Sequence, residues 1–280
     1  MKELTIEQAK KIQLHVLKCF HELCSRTGLR YSLYAGTLIG ALRHRGFIPW
    51  DDDVDVAMPR EDYEKLLRSF NEIEHPEYLE LYDSRTHTGY GFPFMKLVDK
   101  RTLQKGIGKE DSGIQLGLHI DIFAIDGMPQ SRVFATIYLR LMRLIRHCCE
   151  MSLLHTGVKG RSLIKRCAVV IFKVCTLGSR PSFWHRLHNW LAMRYPLKGS
   201  RWGGDVVWGY AERELVPIEC YEGTQDVFFE GCRFLAFGGS DTYLRCVYGD
   251  YMTPPPPHLQ RGGHMATSYQ LVDMDESSND

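Results

Sequence analysis

The sequence predicts an α/β domain of the α+β kind: a mixed sheet with flanking helices and a helical, basic insertion. Three observations predict it. Apolar residues recur at helical intervals from Ile6 to Leu23, strand-like alternation runs from Asp53 to Met58, and two long helical patterns fill the middle of the chain. A length of 280 residues suits one elaborated domain of this type, expected over 1–270 with the helical insertion at about 131–201.

The elements follow in order. Thr5 and Gln8 have capping-box spacing, and Ile6, Ala9, Ile12, Val16, Phe20 and Leu23 then mark one buried helix face that Thr27-Gly28 ends. Leu29 to Ala35 reads as a strand stopped by Gly36, and Thr37 to Arg43 as a short helix opening on that glycine turn. His44 to Trp50 is a loop. Asp53 to Met58 alternates as a second strand, with Val54, Val56 and Met58 on one side, and Pro59 ends it. Tyr63, Leu66, Leu67 and Phe70 have helical spacing. Further strands are expected at Tyr78–Tyr82, Phe94–Asp99 and His119–Ile125, and long helices around Val133–Leu154 and Leu163–Leu177. Pro254–Pro257 is a stiff extended stretch, and 271–280 is expected to be a disordered acidic tail.

Composition narrows the class. Hydrophobic residues make up 44% and charged residues 25%, as in ordinary globular proteins. No run approaches the ~20 apolar residues of a membrane span. The start, Met1-Lys2-Glu3-Leu4, runs directly into a helix, so no signal peptide is expected. Nine cysteines without a Cys-x-x-Cys pair fit reduced thiols and a cytoplasmic protein. The net charge of +1 hides an asymmetry: Ser131 to Arg201 holds fourteen Lys or Arg and one acidic residue, Glu150. Arg140, Arg143, Arg146 and His147 share a third of one helix, and Lys165, Arg166 and Lys173 share a face of the next. Such helices suit either a solvated face or an anionic partner, a polyanionic acceptor or the inner face of a cell membrane. They carry no recognisable nucleic-acid motif, so no nucleic acid is expected.

The chemistry concentrates in Asp51-Asp52-Asp53-Val54-Asp55. Like charges at this spacing repel, and Asp is a poor strand residue. Residues two apart in a strand point the same way, about 6.5–7 Å along the chain, so Asp53 and Asp55 can converge on one ion while Val54 and Val56 anchor the strand. Hard carboxylate oxygens suit Mg²⁺ or Mn²⁺. Asp51 and Asp52 also fit a charged loop or helix cap, which leaves Asp53 and Asp55 unexplained. The small-residue turn Gly36-Thr37 before a short helix adds a place where backbone N–H groups receive phosphate. Strand, turn, helix and Asp-x-Asp in this order are the arrangement of the nucleotidyltransferase fold, although glycosyltransferases also use Asp-x-Asp.

A longer run, YSLYAGTLIGALRHRGFIPWDDDVDVAMPREDY from Tyr31 to Tyr63, closely resembles the signature of the LicD family, phosphotransferases of the nucleotidyltransferase-fold superfamily related to fukutin and fukutin-related protein. The resemblance continues at HIDIFAID, His119 to Asp126, and at YGDYMTPP, Tyr248 to Pro255, followed by Arg261 and His264. It implies transfer of a phosphorylated alcohol, with phosphocholine first in line, from a CDP-linked donor to a sugar hydroxyl of a cell-surface glycan such as lipopolysaccharide, teichoic acid or capsule. CMP is released. Family metal ligands map onto Asp53, Asp55 and Asp121, the last as ligand, general base or both, and Asp51 matches a further acidic position. Ala124 stands where the second motif often has Pro, and the cysteine spacings do not match the zinc-binding insertion of some animal relatives.

Other candidates follow from position. Arg43 and His44, between the turn and the aspartates, and Lys96, on a strand between the motifs, are candidate phosphate contacts. Trp50 and Phe47 either stack on cytosine or pack in the core. Tyr248, Asp250, Arg261 and His264 are candidates to close the donor or acceptor pocket. Two other readings compete: a nucleotidyltransferase that releases pyrophosphate from a nucleoside triphosphate, and a noncatalytic scaffold that binds glycans or membranes.

Overall fold

Helix α1 (Ile6–Thr27) begins where Thr5 and Gln8 form both arms of a capping box and ends at Gly28, whose φ of 68° is the left-handed cap. The computed structural model describes residues 2–105, 114–153, 170, 181–260 and 268–272. The buried face of α1, with Val16, Leu17, Phe20 and Leu23, joins the main core.

The main sheet confirms the mixed α+β class. β2 (Ser32–Leu33), β3 (Asp55–Pro59), β7 (Leu118–Gly127), β5 (Met95–Asp99) and β4 (Leu79–Tyr82) lie side by side in that order. β3 and β7 run parallel, and the other neighbours on this path are antiparallel. β8 (Trp202–Gly204) extends from the far end of β7 and pairs with β9 (Val216–Pro217). β3 and β7 are apolar on both faces, with Val56, Ala57, Met58, Ile120 and Ile122 fully buried, as strands central in a covered sheet must be.

Several expected boundaries move for local reasons. The strand expected over 29–35 shrinks to two residues because Ala35, at φ 44°, already opens α2 (Ala35–Arg43). Gly36 therefore lies inside the first helical turn and is not a stop before it. β3 begins at Asp55, so Asp53 sits in the entering loop. Pro59 does not follow the strand but closes it: it still pairs with Ile125, and at φ −52° it starts α3 (Arg60–Ser69). β7 runs longer than expected at both ends.

Several further features were not expected. β10 (Thr224–Phe229) and β11 (Cys232–Phe237) form a hairpin whose turn residues, Glu230 and Gly231, both have positive φ, as a tight two-residue turn needs. β1 (Lys2–Leu4), β12 (Ser268–Leu271) and β6 (Thr102–Lys105) form a small sheet joining both ends of the described chain. Leu271, expected in the disordered tail, is thus in a strand, while 273–280 lie outside the described residues. α5 (Pro181–Ala192) packs on α4 (Arg132–Leu153) around Ala135, Leu139, Met142 and Ala192. Of the helix expected over 163–177, only Val170 is described. A short final helix, α6 (Ser240–Tyr248), completes the set.

Candidate active site

Strand register builds the site. Asp55 on β3 is the direct partner of Asp121 on β7, and Asp121 is the direct partner of Lys96 on β5. Three adjacent strands thus set two carboxylates and an ammonium in one row, on the sheet face that also carries Phe94, His119 and Phe123. Backbone bonds hold the row: Asp121 N–H donates to Val54 O at 2.8 Å, and Tyr34 N–H donates to Asp55 O at 2.9 Å. The Asp55 N–H has no strand partner and donates instead to Thr37 Oγ1 at 2.8 Å. Thr37 is buried, and its hydroxyl ties the start of α2 to the first strand aspartate.

Crowded, half-buried carboxyl groups dominate the electrostatics. Burial first, then Asp55, Asp51 and Asp121, push the Asp53 carboxyl well above the usual range, and Asp51 is hydrogen-bonded to it. Burial, Asp121 and Asp51 do the same to Asp55, partly opposed by Lys96. The Lys96 ammonium contacts the Asp121 carboxylate, lies 2.9 Å from His119 Nε2 and sits over the rings of Phe92 and Phe94 at 4.6 and 5.1 Å. His119 Nδ1 is 2.8 Å from Gly117 O, so it carries the ring proton and Nε2 accepts from the lysine. Among the described residues, no three His, Cys, Asp or Glu side chains already close on one point as a finished metal cage. Asp53, Asp55 and Asp121 nonetheless fit a hard divalent cation, because all three are oxygen donors lining one cleft, where crowding by like charge disfavours the ionised forms of Asp53 and Asp55.

Asp53, Asp55, Lys96, His119 and Asp121, but not Asp51, line a cleft of about 380 Å³. The cleft is also lined by Tyr34, Trp208, Tyr210, Tyr243 and Tyr248 and by the buried acids Asp205 and Glu214; of these, the sequence points only to Tyr248. Arg146 reaches in from α4, donating to Trp208 O at 2.6 Å and lying over the Trp208 ring. Glu214 accepts from Tyr34 Oη at 3.1 Å and from the N–H groups of Asp205 and Tyr210 at 3.3 and 3.2 Å, tying three wall segments together. Only a lone Glu and a lone Asp, in segments without a motif, mark these positions in the sequence.

The remaining candidates divide. Tyr248 and Lys96 line the cleft; Arg43, His44, Trp50 and Asp250 are not among its lining residues. Arg43 donates to His44 Nε2 at 2.9 Å and to Tyr251 O, and lies 6.0 Å from the Trp50 ring, so these three side chains form a cluster of their own. Asp250 accepts from Thr253 Oγ1 at 2.7 Å. Asp52, buried, accepts from Tyr269 Oη at 2.8 Å. Arg261 and His264 lie outside the described residues.

Gly36 stands against Asp51: a Cβ at this position would meet Asp51 Oδ2 at 2.6 Å. Gly36→Ala is expected to leave the melting temperature nearly unchanged, since alanine is the better helix residue by about 1 kcal/mol, which offsets the crowding. By moving Asp51 off Asp53, it should lower turnover severalfold. Unaltered turnover would show that the position of Asp51 is immaterial.

Glu214 makes stability depend on pH. Burial and the neighbouring Asp205 raise its pKa from 4.5 to about 8. The folded state therefore binds more protons than the unfolded state between these values, so the contribution is full below 4.5 and is lost as pH rises towards 8. Urea midpoints measured from pH 5 to 9 should fall over this range and fall less in Glu214→Gln. Parallel curves would remove Glu214 as the cause.

Comparisons with known proteins agree with this geometry. A family profile described as "LicD/FKTN/FKRP, nucleotidyltransferase domain" matches residues 28–133, the stretch that holds β2, α2, β3 and β7. The chain is 32% identical over 276 residues to the lipopolysaccharide cholinephosphotransferase LicD of Haemophilus influenzae, covering 97% of this chain and 100% of that one. Uncharacterized proteins of Rickettsia typhi and Rickettsia prowazekii are 35% and 34% identical over 77 and 84 residues, which cover 25% and 32% of their own lengths.

Proposed function

Because this chain belongs to the LicD family, we propose that it transfers phosphocholine from CDP-choline to a sugar hydroxyl of a lipopolysaccharide-type glycan and releases CMP. The observation that carries the reading is the row formed by Asp55 and Asp121 on adjacent parallel strands, with Asp53 beside it, in a chain similar from end to end to the Haemophilus cholinephosphotransferase.

Asp53, Asp55 and Asp121 would hold Mg²⁺ or Mn²⁺, which when bound neutralises the donor's phosphates and makes the phosphorus a better electrophile. The chain's own groups do the rest. Lys96, fixed by His119 and by the two phenylalanine rings, holds the Asp121 carboxylate in place and brings a positive charge to the phosphate end of the cleft. Arg146 supplies a second cation to the cleft. The acceptor hydroxyl gives its proton to a cleft carboxylate as its oxygen attacks the phosphorus next to choline; the bond from that phosphorus to the CMP oxygen breaks, and CMP leaves. Positioning and charge neutralisation are the main catalytic terms in such transfers. The acceptor is lipid-linked, and the protein works at the inner face of the cell membrane without spanning it. No helix among the described residues is long and apolar enough to cross one.

A donor screen tests the reading. With Mg²⁺ and a glycan acceptor, CMP release should be fastest from CDP-choline and slower from CDP-ethanolamine, CDP-glycerol and CDP-ribitol. Pyrophosphate release from CTP with no CMP from any CDP-alcohol would overturn it.

A further inference from the structure

Helix α4 has two apolar faces, and among the described residues only one of them is covered. Ala135, Leu139, Met142 and Cys149 are buried, yet Val133, Phe134, Ile137, Leu141 and Leu144 are 67%, 64%, 55%, 43% and 59% exposed. At about 100° per residue these five fall within one stripe roughly 100° wide, on the far side from the buried set. Arg132, Arg140 and Arg143 run along its edge; Arg140 and Arg143 pair with Glu212 but remain 65% and 46% exposed. Helix α5 repeats the pattern, with Phe183, Arg186 and Trp190 exposed at i, i+3 and i+7. Within 131–153 and 181–201 there are eight Lys or Arg and one acidic residue.

A stripe of large apolar side chains this long, about 17 Å from Val133 to Leu144, is not a solvated face. The charge selects its occupant. A helix that exposes apolar residues beside arginines, with a tryptophan on its neighbour, matches the boundary between acyl chains and anionic headgroups. We infer that the exposed stripe of α4 inserts into the surface of an anionic lipid bilayer. The same helix sends Arg146 and Glu150 into the cleft from a different face, so docking would hold the cleft beside the membrane, where a lipid-linked acceptor presents its sugar. This sharpens the membrane location proposed above by naming the surface, and it rests on that location but on no step of the reaction.

The test is pelleting of the full chain with vesicles of phosphatidylglycerol and phosphatidylcholine, in the absence of donor and acceptor. Wild type should bind them, bind pure phosphatidylcholine at least tenfold more weakly, and retain part of its binding in 0.5 M salt because apolar insertion is not screened. Ile137→Glu with Leu144→Glu should lower binding at least tenfold while leaving the melting temperature and CMP release from a soluble acceptor unchanged. Three results would overturn the inference: no pelleting by wild type, equal pelleting by the double variant, or a wild-type dimer that the double variant splits, which would assign the stripe to a second copy. CMP release measured alongside separates failure of this inference from failure of the proposed reaction.

Discussion

Asp55→Asn should lower CMP release from the preferred donor by about 10³-fold, the scale seen when one preorganised charge-stabilising group is removed from an active site. The fold should not suffer. Asp55 is held through its backbone, by Thr37 Oγ1 and by the ladder to β7, and asparagine keeps both. Its carboxyl is pushed up by burial, Asp121 and Asp51, so neutralising it relieves repulsion, and the melting temperature should stay the same or rise. Activity loss with equal or higher stability is the signature of a site that stores repulsion for a ligand to relieve. Near-normal turnover in this variant and in Asp53→Asn would remove the carboxylate row from the mechanism.

The second large effect is the reverse, stability lost with the site intact. Arg60 and Asp126 are both buried and make a two-pronged pair, Nε to Oδ1 at 2.7 Å and Nη2 to Oδ2 at 2.6 Å. Asp126→Ala leaves the Arg60 charge buried, with only Glu64 at 3.2 Å to answer it, and should cost about 3–5 kcal/mol. Arg60→Met combined with Asp126→Leu should recover most of that loss, since removing both charges also removes their desolvation cost. Urea unfolding of the three proteins measures this. A loss below about 1 kcal/mol in Asp126→Ala would mean that the pair is solvated in the folded protein.

These two aspartates show how far the sequence could be read. Asp121 and Asp126 belong to one motif, His119 to Asp126, and an odd spacing of five puts them on opposite faces of β7. One lines the cleft and the other clamps α3, and alternation alone carries that distinction. The central strands and α1 were legible because their signals are local: a capping box, a terminal glycine, apolar alternation. The row of Asp55, Asp121 and Lys96 was anticipated as residues, but their alignment is a matter of register, which no single segment encodes. Only the start of helix α2 was read two residues late, because Ala35 takes a positive φ, where glycine would have been the natural signal. The wall with Asp205 and Glu214 was missed for a different reason. Glu214 accepts from Tyr34, 180 positions away, and nothing near either residue announces the pair.

Such distances bear on how the enzyme comes into being. Asp52 is bonded to Tyr269, Phe47 N–H to Glu230 Oε1, and β1 to β12, so the loop carrying the aspartates is pinned from positions that are synthesised much later. Closing contacts across most of the chain is slow, because the loop entropy must be met before the contacts reward it. A ribosome-bound chain long enough to expose all three aspartates would still lack the hairpin tip and the closing strand. Donor hydrolysis by half-finished chains should therefore be negligible, and the appearance of activity during synthesis should lag behind that of α1 and the central strands. Late completion keeps the cleft unassembled until the hairpin and β12 have been made.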